Sequence, residues 1–166
     1  MIGDLFEKSI LVFGCGNILW GDDGFGPAVV DYLKKNYSLP DNVLVMDMGT
    51  SIRDTLFDLA LSEKKPRKII VVDAVDYPGR KPGEVFEIPV EGVPESKASD
   101  FSLHQFPTVN ILEELQNHTS IEVRIVAAQT GEIPDTVRPG LSKAMEAAVV
   151  QACERVLSHI ANSSTT

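Results

Sequence analysis

Cysteine is nearly absent from this chain: its 166 residues include two, Cys15 and Cys153. They form no CxxC pair and no thiolate cluster, which excludes a zinc cage and a disulfide framework, and both read as reduced thiols. Basic side chains are the minority charge, 15 Lys and Arg against 24 Asp and Glu, for a formal net charge of -9. A protein that grips a phosphate backbone needs clustered cations, so nucleic acid is excluded as a partner. The densest basic run, Lys64-Lys65-Pro66-Arg67-Lys68, reads as a solvated loop. Apolar runs fall far short of the roughly 18 residues of a membrane helix, so no membrane partner is expected. Met1 to Lys8 carries Asp4 and Glu7 ahead of any apolar run, unlike a signal peptide. A cytoplasmic location is expected.

What is present suits one α/β domain. A chain of this length buries roughly two-thirds of its extended surface and needs no staple. Residues 1–160 form the expected domain, with 161–166 as a polar tail. Ser9 to Phe13, Val43 to Met46, Ile69 to Val72 and Val123 to Ala128 are short apolar runs, which predict strands covered on both faces. Helical spacing follows the first two, through Phe25, Val29, Val30, Leu33 and Tyr37, then through Ile52, Leu56, Leu59 and Ala60. Asp22 or Asp23 is placed to cap the first of these helices. Pro78, Pro82, Pro89 and Pro94 confine residues 77–100 to a surface loop with an edge strand near 84–88. This loop is the expected recognition segment for a partner. A helix should start at Pro107, and a last one should run from Leu141 to about Ile160. The alternation predicts a three-layer fold, a mostly parallel twisted sheet of about five strands with helices on both faces.

Ligands of such sheets lie beyond the carboxyl ends of the strands, and carboxylates stand there. Asp22 and Asp23 follow strand one, Asp47 strand two, and Asp73 and Asp76 strand three. Gly14-Cys15-Gly16 invites a nucleotide-binding reading, but Leu19 occupies the third glycine position of GxGxxG. Asp22-Asp23 would also put negative charge where a pyrophosphate must sit. A cation fits better. Each aspartate alone is explained by an ordinary cap or turn, whereas several gathered on one edge raise one another's pKa unless a cation joins them. His118 and His159 read as structural. His104, within Ser102-Leu103-His104-Gln105, is equally compatible with a loop histidine and a ligand. Two carboxylates and an imidazole suit nickel, zinc, manganese or iron without choosing among them. Cys15, between two glycines and beside carboxylates, reads as a packed apolar residue rather than a nucleophile.

The run Gly14-Cys-Gly-Asn-Ile-Leu-Trp-Gly-Asp-Asp-Gly-Phe-Gly26 resembles the opening motif of the hydrogenase maturation endopeptidases. The likeness continues at Asp47-Met48-Gly49-Thr50, at Ile69 to Ala74, at Ser102 to Gln105, at Ile133-Pro134-Asp135-Thr136 and at Gly140-Leu141-Ser142. The resemblance implies an endopeptidase that removes a C-terminal extension from the precursor of a nickel-iron hydrogenase large subunit. It also implies a nickel ion carried by that substrate, no organic cofactor, and Asp23, Asp73 and His104 as the metal-binding and catalytic set, with no nucleophile assigned. Asp23 is one methylene shorter than the glutamate frequent in the family, and Asp47-Met48-Gly49-Thr50 replaces Asp-Gly-Gly-Thr. The loop pattern is most similar to the archaeal branch that matures deazaflavin-reducing hydrogenases. Alternatives are a nickel-checkpoint chaperone that does not cut and, further off, a nucleotide-binding Rossmann protein.

Overall fold

A computed structural model describes Leu5, residues 7–90 and residues 106–162, with the side chains of 106–109 left aside. The chain runs β1 (Ile10–Cys15), a 3-10 turn (Gly21–Gly24), α1 (Phe25–Asn36), β2 (Val43–Gly49), α2 (Ile52–Leu61) and β3 (Lys68–Val75). It continues through β4 (Val85–Ile88), α3 (Phe106–His118), β5 (Glu122–Gln129) and α4 (Lys143–Asn162). The five strands pair in the order β2-β1-β3-β5-β4. β4 alone is antiparallel, with Val85 opposite Ala128 and Phe86 opposite Ala127.

Every residue of β1 and of β3 is buried, as expected of interior parallel strands without polar alternation. Two apolar cores result. Leu11, Phe13, Ile69, Val71 and Ile125 face Leu56 and Leu59 of α2 and Leu112 and Leu115 of α3. Val12, Ile70, Val72 and Val126 face Phe25, Val29 and Leu33 of α1 and Met145, Ala152 and Val156 of α4. The connection from β1 to β2 leads one way along the sheet and the connection from β2 to β3 leads back across β1. The order in which strands are added thus reverses between the parallel neighbours β1 and β3, opening a crevice at their carboxyl ends.

Several boundaries differ from the expectation for physical reasons. β3 runs two residues past Asp73 because Asp73 to Val75 stay in register with Ala127 to Gln129 of β5. Leu141 lies outside α4, since Ser142 accepts the Met145 N–H at 3.4 Å and occupies the N-cap. α4 continues to Asn162, two residues into the expected tail, and 163–166 lie outside the described residues. The basic run is not merely a solvated loop. Lys65 Nζ donates to the carbonyls of Leu59, Ala60 and Ser62 at the end of α2. Lys68 is buried, pairs with Glu122 at 3.2 Å and donates to the His159 carbonyl at 3.0 Å. Cations at helix C-termini satisfy orphan carbonyls and complement the dipole.

Candidate functional site

The loop after β1 is shaped by glycines that leave no room for side chains. A Cβ on Gly14 would stand 2.4 Å from the Gly26 carbonyl oxygen, and one on Gly26 would stand 2.2 Å from that of Cys15. Gly16 has φ +134°, and a Cβ there would meet the Asp23 carbonyl oxygen at 1.9 Å. The glycines therefore press β1 against the start of α1 and hold Asp23 over the sheet edge. Neither aspartate caps α1 as expected: its N-cap is Gly24, without a side-chain hydrogen bond. Asp22 and Asp23 occupy the 3-10 turn instead, both buried. The Asn17 N–H donates to Asp23 Oδ2 at 3.0 Å.

Asp73 stands across the crevice, two residues before the end of β3, and only 1% of it is exposed. Burial raises its carboxyl pKa well above the ordinary value of 3.8; the neighbouring Asp23 charge raises it further, and the Ala74 N–H pulls it partly back. That N–H donates to Asp73 Oδ1 at 2.8 Å. Two carboxylates in one dry crevice favour a shared proton or a bound cation. Cys15 lies beneath them, fully buried. Its thiol is pushed well up, first by burial and then by Asp73, Asp47 and Asp23, the opposite of an activated nucleophile.

The other strand-end aspartates do not join this pair. Asp47 is exposed and accepts the Gly49 N–H at 2.9 Å in a local turn. Asp76 Oδ1 accepts from Gln129 Nε2 at 2.9 Å, while Gln129 Oε1 accepts the Tyr77 N–H at 2.8 Å. Asp22 reaches across the edge, taking the Gly131 N–H at 3.0 Å, the Ser142 N–H at 2.7 Å and the Ser142 hydroxyl at 3.0 Å. The gathering of five narrows to two. Asp22, Ser142 and Gln129 as a bracing set escaped the sequence reading. Only the Gly140-Leu141-Ser142 run, grouped with the opening motif, hinted at the link. Among the described residues no three His, Cys, Asp or Glu side chains are arranged to hold a metal. His104 lies outside the described residues. His118 pairs loosely with Glu114 at 3.6 Å, and His159 sits 2.6 Å from Glu87.

A sequence model described as hydrogenase maturation protease matches residues 27–159. The chain belongs to that family. Hydrogenase maturation proteases are endopeptidases, and this chain is accordingly a hydrolase. It is 42% identical over 156 residues to a putative hydrogenase maturation protease of Methanocaldococcus jannaschii, covering 93% of this chain and 97% of the relative. It is 36% identical over 159 residues to the coenzyme F420 hydrogenase subunit delta of Methanothermobacter thermautotrophicus, covering 93% and 96%. The fold matches the hydrogenase maturating endopeptidase HybD from Escherichia coli with a TM-score of 0.74 and 30% identity over 94% of each chain. The α/β fold expected from the alternating pattern is the family's fold. No helix among the described residues is long and apolar enough to cross a membrane.

Proposed function

We propose that this maturation protease removes a C-terminal extension from the precursor of a nickel-iron hydrogenase large subunit, and does so only after the precursor has received nickel. The observation that carries the reading is the buried pair of Asp23 and Asp73 at the crevice between β1 and β3, where burial and then the Asp23 charge raise the pKa of Asp73. A cation delivered between them removes that repulsion and exchanges a shared proton for metal ligation. His104 completes the set by the resemblance, giving two oxygen donors and one imidazole, which suits nickel held otherwise by the substrate. The nickel is then part of the substrate. Binding depends on its presence, and a precursor without metal lacks the contact that aligns its peptide. The similarity to a coenzyme F420 hydrogenase subunit supports a deazaflavin-reducing hydrogenase as the recipient.

Incubation of the purified protein with nickel-loaded and nickel-free precursor tests the reading. The expected result is a shortened large subunit only with nickel, abolished by Asp23→Ala, Asp73→Ala or His104→Ala with the fold retained. Equal cutting of both precursors removes the nickel requirement, and a stable complex with uncut substrate means a chaperone instead.

A further inference from the structure

Six large hydrophobic residues are exposed among the described ones, and three of them, Ile18, Leu19 and Val137, lie in the two loops that flank the Asp22-Asp23 turn. These loops are locked together. Trp20 and Arg138 form a parallel bridge, the Arg138 N–H donates to the Leu19 carbonyl and the Gly21 N–H to the Arg138 carbonyl, each at 2.9 Å. Leu19 and Val137, each one residue before the bridge, stand side by side. Their exposures of 45% and 60% are therefore held by backbone pairing and do not reflect a loose segment.

From Ile18 a groove of about 310 Å³ runs along Pro27, Ala28 and Leu141, with Asp31 and Asp47 as the charged residues in its lining. A second hollow of about 220 Å³ shares Ile18, Pro27 and Asp47 and extends to Asn17, the residue whose N–H holds the Asp23 carboxylate. The groove thus reaches the backbone that holds the Asp23 carboxylate. The groove lining, apolar apart from the acidic Asp31 and Asp47, fits an extended segment with apolar and cationic side chains, and disfavours an acidic one. Lys35 pairs with Asp31 at 3.0 Å, so Asp47 is the acid better placed to meet the incoming charge.

We infer that Ile18, Leu19 and Val137 with the adjoining Asp47 groove seat an extended, apolar and positively charged segment of the precursor next to the bond to be cut. This rests on the function proposed above. It assigns to these residues affinity for the precursor and leaves the metal check and the cutting step to the carboxylate pair.

The test uses the full chain and the nickel-loaded precursor, reading affinity by biolayer interferometry and KM and kcat by the shortening of the substrate. Leu19→Ser combined with Val137→Ser, and separately Asp47→Lys, are expected to weaken affinity and raise KM about tenfold with kcat little changed, as removal of ground-state contacts does. Leu61→Ser, 86% exposed on α2, is expected to change neither and serves as the control. An affinity and KM within about twofold of the unmodified protein for both Leu19→Ser/Val137→Ser and Asp47→Lys would overturn the inference while leaving the proposed function standing, as would an equal loss with Leu61→Ser. Failure of the unmodified protein to bind or cut any nickel-loaded precursor would remove the function itself.

Discussion

Replacing Asp22 by alanine tests whether this residue braces the site. Its carboxylate, 1% exposed, accepts three hydrogen bonds, from the Gly131 N–H and from the Ser142 N–H and hydroxyl. Truncation strands two backbone donors, each costing about 1–3 kcal/mol when buried. The Ser142 hydroxyl can turn to other partners and adds little. Removing a buried charge returns part of this loss by relieving its desolvation. The balance is about 3 kcal/mol, which in a domain of this size lowers Tm by about 6–12 °C. Ser142→Ala loses one bond to Asp22 and the N-cap of α4, about 1–2 kcal/mol. Because the two residues share a bond, the double variant should fall short of the summed losses by about 1 kcal/mol. Thermal and urea unfolding followed by circular dichroism measure all three. An Asp22→Ala protein melting within about 2 °C of the unmodified one refutes the bracing role.

Two further outcomes follow from the buried acids and thiol. Burial, and after it the Asp23 charge, raise the native Asp73 pKa above the ordinary value of 3.8, so in the absence of metal Asp73 contributes stability that is full below that pH and is lost as pH rises toward the raised native value. Asp73→Asn keeps an oxygen for the Ala74 N–H, and its Tm should therefore exceed that of the unmodified protein at neutral pH, with the difference vanishing toward pH 4; identical Tm profiles across that range contradict the shared-proton crevice. Cys15→Ala should still process precursor, and native Cys15 should resist a thiol reagent until the chain unfolds, because burial and three carboxylates oppose its thiolate; loss of processing in a folded Cys15→Ala protein would restore it as a nucleophile.

The fold was largely legible because its strands are unbroken apolar runs and its helices carry one apolar face. Ile10 to Phe13 and Ile69 to Val72 could only be interior strands, and the prolines at 78, 82 and 89 left a short edge strand where β4 stands. Long-range polar contacts were not legible. The Asp22 to Ser142 bond joins residues 120 positions apart, and a sequence that places Asp22 beside a helix start suggests a local cap instead. Lys68 was misjudged for the same reason, since its partners at Glu122 and His159 come from distant parts of the chain. Strand ends can be read from the apolar runs that precede them, which brought Asp22, Asp23, Asp47, Asp73 and Asp76 into view together, and only the resemblance singled out Asp23 and Asp73 among them.

The seam between Gly14, Gly16 and Gly26 has a consequence for how Asp23 can meet a ligand. With backbone touching backbone there, the support beneath Asp23 has no slack, and the aspartate cannot advance toward an incoming ion by flexing its own loop. A shorter acid mounted this stiffly sets a fixed distance that the ion itself must close. Under the proposed function, discrimination between ions of different radius would lie in the main chain that carries Asp23.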